Sequence, residues 1–240
     1  MNFLTDERMK KAGLLAGTVL RQSGNMGERT NQDRFFSQAG IPSGKMVRFH
    51  QIHSDKIITV NGEKQASALL TSPFRDADGW VCNGSGFGVI ILTADCVPLF
   101  VWNEDGTHFA LSHCGWRGVA SRLPFKTIQT LQENGARPPF FVWAGPHIQS
   151  CCFEVQTDTA CQFSPKNVFT KNGKQFVNLN GEIQNQLLQA GVKEENMAFS
   201  KRCTCCKEND FFSWRRDHVK NLLLSFMYKP ATCTTAKYFL

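Results

Sequence analysis

The sequence predicts one mixed α/β (α+β) domain, on three observations. Short apolar runs closed by turn residues recur along the chain and read as strands. Amphipathic stretches stopped by glycine lie between them and read as helices. No linker, repeat or low-complexity stretch divides the 240 residues, so residues 1–240 are taken as a single domain.

The elements follow in order. Ala16 to Arg21 reads as a first strand, followed by a loop through Gly24 and Gly27, and Glu28 to Ala39 as a short helix ended by Gly40 and Pro42. Lys45 to Phe49 leads into HQIHSDKIITV, in which Ile57 to Val60 is a strand closed by Asn61-Gly62. Ser67 to Asp78 reads as loop and Trp80 to Cys82 as a short strand. The centre of the chain runs from Gly86 to Gly118. Its first apolar run, Val89 to Leu92, meets Thr93-Ala94-Asp95-Cys96, and its second, Phe109 to Leu111, ends at Ser112-His113-Cys114. A thiol and an imidazole are thereby placed on neighbouring strands, at strand ends, where sites are usually built. After Gly118, VASRLPFKTIQTLQENG reads as a helix with Ile128 and Leu131 on one face, Pro124 near its first turn and Gly135 as its stop. Phe140 to Ala144 is a buried strand, Phe153 to Phe163 helical, Gln175 to Leu179 extended, and Gly181 to Ala190 a helix stopped by Gly191. Ala198 to Cys203 leads to a polar loop and then to FFSWRRDHVKNLLLSFMY.

Composition narrows the classes of function. With 42% hydrophobic residues the chain buries a sizeable core. No apolar run approaches the ~20 residues that span a bilayer. Asp6 and Glu7 stand before the first apolar patch, which makes a poor secretory signal, so a cytoplasmic protein is expected. Its ten cysteines are then reduced thiols serving packing, metal or catalysis rather than a disulfide framework. The net charge of +7 is spread without a Lys/Arg block, which favours an anionic small substrate over nucleic acid. A monomer with no nucleic-acid or membrane partner is the expectation.

Three residues form a candidate metal set: His53, Cys96 and His113. Catalytic zinc sites commonly take three protein ligands and leave a fourth position open. His50 and His53, three apart, point oppositely on extended chain, so only one of them is expected in the site. The wide separations fit no local zinc motif. On residues alone the plainer reading, a buried thiol with two hydrogen-bonded histidines, outweighs a zinc site. Cys203-Thr204-Cys205-Cys206 contains a CxxC, half of a structural zinc site or a redox pair, and nothing nearby supplies the other half. Cys151-Cys152 reads as core packing. Trp116-Arg117 and Trp214-Arg215-Arg216-Asp217 each put an aromatic face beside a guanidinium, suited to a purine and a phosphate, although an Arg–Asp pair with a core tryptophan is the commoner outcome. The glycine fingerprints of dinucleotide and P-loop sites are missing.

Four blocks, HQIHSDKI, TADCVPLFVWNEDGTHFALSHCGWRG, AGPHIQSCCFEV and CTCCKENDFFSWRRD, together resemble the YfiH-like laccase-domain (polyphenol oxidase) family of purine nucleoside phosphorylases. The resemblance spans residues 50 to 217, and ADCVP with HxGWRG is its most specific part. It implies metal ligands at His53, Cys96 and His113, which reverses the weighing above. It also implies a layered α/β/β/α sandwich with mixed sheets, similar to a class of cysteine hydrolases. The implied activity is phosphorolysis of adenosine, inosine, guanosine and methylthioadenosine to base and sugar 1-phosphate, accompanied by adenosine deamination. Zinc is the expected cofactor, with copper the other possibility; purine nucleosides and phosphate are the expected partners. Arg117 is then a candidate for phosphate, and Asp95 for orienting a ligand, moving a proton or holding an imidazole N–H. The chain departs from the family pattern at Ser54, where glycine is usual, at Cys114 in HCGWRG and at His147 in GPHI. Ser54 is expected to cost backbone freedom, and Cys114 to point away from the metal.

Other readings use the same residues. A metal-free cysteine hydrolase would take Cys96 as nucleophile and His113 as base. A copper-dependent polyphenol oxidase is a second alternative, limited to a mononuclear site because a multicopper oxidase needs about ten histidines and six are present. A non-catalytic interaction domain would use the cysteines only for packing.

Overall fold

The computed structural model describes residues 2–72 and 75–231. Residues 73 and 74, within the expected 67–78 loop, and the last nine residues of the expected 1–240 domain lie outside the described residues.

Two mixed sheets carry the molecule. The larger has six strands in the order Met197–Phe199, Phe140–Ala144, Val97–Asn103, His108–Cys114, Gly79–Asn83, Ile57–Asn61. The second has five: Phe3–Leu4, Leu15–Val19, Leu223–Lys229, Phe87–Thr93, Met46–Val47. A small three-stranded sheet (Glu154–Val155, Lys174–Val177, Val168–Lys171) stands apart from both.

Strand alternation decides how these layers stack. Along 97–103, Phe100 and Trp102 point one way and Val97, Leu99 and Val101 the other. The first pair joins Phe109, Leu111 and Trp80 against Val89, Ile91 and Met227 of the five-stranded sheet, so the two sheets pack face to face over an aromatic core. The opposite set packs under helices Leu123–Glu133 and Leu179–Gln189, through Ile128, Leu131, Ile183 and Leu187. Ile90 and Phe226 turn outward from the five-stranded sheet and are covered by Phe35 and Phe36 of helix Arg29–Gln38. The order is helix, sheet, sheet, helices. Among the described residues no helix is long and apolar enough to cross a membrane.

Most expected elements are present within a few residues of their expected bounds. Three are not. Ser67–Asp78 was expected as loop, but helix Gly62–Thr71 runs through its first part. The helix starts because the Gln65 side chain turns back to accept the Asn61 N–H at 2.7 Å and Ala66 is buried against the inter-sheet core. Phe153–Phe163 was expected to be helical, yet Glu154–Val155 pairs with Gln175 and Phe176 as a strand and only Thr157–Ala160 is helix. The helix expected after Gly118 is two helices, Trp116–Ala120, which begins before Gly118, and Leu123–Glu133, broken at Arg122, whose φ is +65°. Pro124 lies in the first turn of the second, where its missing N–H costs nothing.

Candidate metal centre

The site is assembled at one end of the gap between the two large sheets. Strands Val97–Asn103 and His108–Cys114 pair antiparallel, with Val97 opposite Cys114 and Pro98 opposite His113. Cys96 therefore stands beside the end of the neighbouring strand, opposite Gly115. His113 shares the inter-sheet face with Leu111 and Phe109, while Cys114 is turned to the other side, into the core beneath the helices. Cys114 is fully buried there, and burial pushes its thiol well above the ordinary range.

His53 arrives on a different segment. Residues 51–54 form a tight loop, not the extended chain expected, and His53 itself has φ +59°. A non-glycine residue in the left-handed region is strained and persists where its surroundings hold it. What holds it is Asp78, a fully buried carboxylate just before strand Gly79–Asn83. Asp78 accepts the backbone N–H groups of Ile52 (3.3 Å), His53 (3.0 Å) and Ser54 (2.6 Å), and the Ser54 hydroxyl at 2.8 Å. Ser54 thus adds a hydrogen bond, and the left-handed residue is its neighbour; the expected loss of backbone freedom at Ser54 does not arise. His50, the other histidine of the pair, turns to Asp76 at 3.0 Å and is exposed.

The side-chain donors of His53, Cys96 and His113 lie within 4.8 Å of one another. The two imidazole rings stand edge to face with centroids 4.8 Å apart. His113 Nδ1 is 2.8 Å from Asp78 Oδ1, so the ring donates there and turns Nε2 toward the other donors. Burial disfavours the Cys96 thiolate, but the charge and hydrogen bonds of His113 and His53 outweigh it and hold its pKa at about 6. Burial likewise disfavours the His113 cation, but Cys96 and Asp78 outweigh it and raise its pKa to about 9. Two imidazoles and a thiolate are donors that suit zinc, with coordination left for a further ligand. The residues fit a metal ion. Gly115 is where the site tolerates no side chain: a Cβ there would stand 2.9 Å from His53 Cδ2 and 3.2 Å from Cys96 Sγ.

Asp95, the residue next to Cys96, does something other than expected. It orients no imidazole; Asp78 does. The Asp95 side chain points to the far segment, accepting from Thr204 Oγ1 at 2.6 Å, Ser213 Oγ at 3.0 Å and Arg215 N at 2.7 Å. Its φ of +89° turns the carboxylate away from the line of strand Val97–Asn103. With three donors on it, Asp95 ties residues 204–215 to the strand end that carries Cys96.

Above the three donors opens a cleft of about 730 Å³, within the range of small-molecule sites. Trp116, Trp214 and Phe153 supply aromatic faces to it; Arg117, Arg215 and Lys220 supply cations. Arg117 is exposed and stacks on Trp116, its guanidinium carbon 4.3 Å from the ring centroid. The two arginines of WRRD divide their work. Arg216 pairs with Asp217 and donates to the carbonyls of Thr204, Cys205 and Phe211, so it is structural. Arg215 reaches the cleft and donates to the Cys152 carbonyl at 2.9 Å. The sequence reading missed Asp78, Thr204 and Ser213. The signal available for Asp78 was an acidic residue directly before the buried run Gly79-Trp80-Val81-Cys82.

Sheet order, strand-end thiol and imidazole, and the carboxylate behind them define an α+β protein with a cluster of two imidazoles and a thiol, able to hold a metal ion, at the floor of a cleft. The chain belongs to the multi-copper polyphenol oxidoreductase laccase family, whose model matches residues 26–223. It is 29% identical over 203 residues to the purine nucleoside phosphorylase YfiH of Escherichia coli K12, covering 82% of this chain and 79% of that protein. It is 27% identical over 190 residues to adenosine deaminase RL5 of an unknown prokaryotic organism, covering 75% and 72% of the two chains. The crystal structure of YlmD from Geobacillus stearothermophilus superposes with a TM-score of 0.84 at 26% identity, covering 95% of this chain and 99% of that one.

Proposed function

We propose that the chain is a zinc-dependent purine nucleoside phosphorylase that splits adenosine, inosine, guanosine or methylthioadenosine to base and sugar 1-phosphate, with adenosine deamination alongside. One observation carries the reading: a cluster of two imidazoles and a thiolate lies under a cleft that also offers aromatic faces and guanidinium groups. A purine nucleoside needs the faces, phosphate needs the cations, and relatives named for each of the two activities are similar in sequence over most of this chain.

His53, Cys96 and His113 would hold the ion. When bound, zinc would supply a Lewis acid and would acidify a water ligand to a pKa of ~7. The chain's own groups do the rest. Asp78 keeps His113 in the tautomer that presents Nε2 and fixes the His53 loop. Trp116 and Trp214 offer surfaces for the purine ring, and Arg117 binds the attacking phosphate at the cleft rim. Asp95 keeps the 204–215 segment seated so that Arg215 and Trp214 face the substrate.

The rival built on the expected likeness to cysteine hydrolases uses Cys96 as nucleophile and His113 as base, and the pKa of about 6 suits it. Several coppers have no comparable support: among the described residues His50, His108, His147 and His218 stand outside every metal-capable cluster. The deciding measurement is ribose 1-phosphate formation from inosine and phosphate by protein as purified and after chelation. Zinc-dependent product supports the phosphorylase. No sugar 1-phosphate from any of the four nucleosides in zinc-loaded protein rejects it, and activity blind to chelator but abolished by alkylation would establish the hydrolase chemistry.

A further inference from the structure

The two cysteine pairs that the sequence leaves half-explained meet in space. Cys151 and Cys152 follow the GPHI turn, and Cys203 and Cys206 come from the CTCC turn more than fifty residues later. All four Sγ atoms lie within 4.8 Å of one another. Cys206 Sγ is 3.6 Å from Cys151 Sγ and 3.3 Å from Cys152 Sγ. A tetrahedral ion with Zn–S bonds of ~2.3 Å sets its sulfurs roughly 3.8 Å apart, slightly wider than these two contacts and inside the 4.8 Å that bounds the whole cluster.

The surroundings also suit thiolates. The Gln149 N–H points at Cys203 Sγ at 3.4 Å, and the Cys206 N–H is directed at the same sulfur from within the CxxC turn. Such N–H donors stabilise sulfur carrying negative charge. Arg215 grips the Cys152 carbonyl and Arg216 those of Thr204 and Cys205, so two guanidinium groups stand beside a centre that would bear two net negative charges once four thiolates hold a divalent ion. Cys161 and Cys205 take no part in the cluster.

We propose that Cys151, Cys152, Cys203 and Cys206 form a second metal centre, a closed tetrathiolate site that takes zinc and has no position for substrate. Its role is structural. It ties the 147–153 loop to the loop that carries Thr204, Ser213 and Arg215, the same segment that Asp95 clamps beside the cleft. The CxxC is therefore neither an isolated half-site nor core packing: the distant pair completes it.

The test uses full-length protein reduced, reconstituted with zinc and freed of loose ion. A His113→Ala/Cys96→Ala chain, with the cleft site removed, retains about one zinc by metal analysis and native mass spectrometry. Adding Cys203→Ser/Cys206→Ser removes it, whereas those two changes in an otherwise intact chain leave the cleft ion in place. Should the serine variants fail to fold, cobalt in the His113→Ala/Cys96→Ala chain reports alone, through strong thiolate-to-cobalt charge-transfer absorption in a tetrahedral spectrum. A zinc-free His113→Ala/Cys96→Ala chain, cobalt bound without that absorption, or a Cys152–Cys206 disulfide under reducing purification would each overturn the second centre. None of these outcomes touches the phosphorylase assay, so the two readings fail separately.

Discussion

Asp78 Oδ1 lies 2.8 Å from His113 Nδ1, and the same carboxylate gathers the backbone of the loop that carries His53. One fully buried group thus sets two of the three metal donors, one through its ring and the other through its main chain. Burial opposes the charged form of Asp78, but the hydrogen bonds from His113 and Ser54 outweigh it and keep the carboxyl below the usual range. Replacing Asp78 with Asn keeps the shape but loses charge and one acceptor. Zinc affinity at the cleft site should fall about 10- to 100-fold, as for other partners of metal-bound histidine. A competition titration against a chelator reads this directly; unchanged affinity would reduce Asp78 to a loop fastener.

Asp95 is predicted to act on substrate binding rather than on the metal. Asn at this position weakens three hydrogen bonds to a buried carboxylate, at a stability cost of about 2 kcal/mol. Amide exchange in residues 204–215 should quicken and the nucleoside KM rise, while cleft zinc stays bound. Loss of that zinc with KM unmoved would contradict the clamp.

Gly115→Ala puts a methyl group where His53 and Cys96 already stand, at 2.9 and 3.2 Å. The backbone there has φ −63°, which alanine adopts freely, so the fold should survive and the cleft ion should not. Circular dichroism and metal content together check it. A variant that folds and keeps full zinc would show that the loop gives way at no cost to the site.

Arg117 is exposed, so Arg117→Ala should alter stability by less than about 0.5 kcal/mol. Loss of a charge-assisted contact to phosphate should raise the phosphate KM about tenfold or more. Adenosine deamination needs no phosphate and should be unaffected, which makes the ratio of the two activities the measurement. Equal loss of both would place Arg117 on the nucleoside instead.

How far the sequence carried this picture depends on whether a residue's partner was local. Cys96 and His113 were legible because each ends an apolar run, and such runs pair as neighbouring strands. Asp78 was not, because its partners lie on a loop 24 to 26 residues earlier and on a strand 35 residues later. Asp95 was noticed for its place beside Cys96, yet a positive φ turned it elsewhere, and single backbone dihedrals leave no periodic trace. The Cys151–Cys152 and Cys203–Cys206 pairs were each visible, but their meeting was not, since it is a contact across more than fifty residues. Ser67–Thr71 was misread because serine and threonine suggest loop, whereas the helix is set from its start by Gln65.

His147 gives the chain a titration that can be predicted with its sign. The ring is buried; Nδ1–H donates to the Gly145 carbonyl at 2.7 Å, and Nε2 faces the Gln149 amide nitrogen at 2.9 Å. Both ring nitrogens are satisfied when the imidazole is neutral, and a second ring proton would confront a donor. Burial, the dominant cause, outweighs the Gly145 carbonyl, the Asn180 side chain and the nearby Asp95 charge and lowers the pKa from 6.5 to about 4. The unfolded chain therefore takes up a proton near pH 6.5 that the folded chain refuses until about pH 4. Stability from this group is constant above pH 6.5, falls as pH drops through the window between 6.5 and 4, and levels off below, for a total loss of about 3 kcal/mol. Asn at 147 can still donate to Gly145 but has nothing to titrate. Denaturant midpoints measured from pH 7 to pH 4 should fall more steeply for the natural chain than for His147→Asn, with the two curves converging on the acid side. Parallel curves would mean that the folded protein accepts the proton and that His147 is not held neutral by its partners.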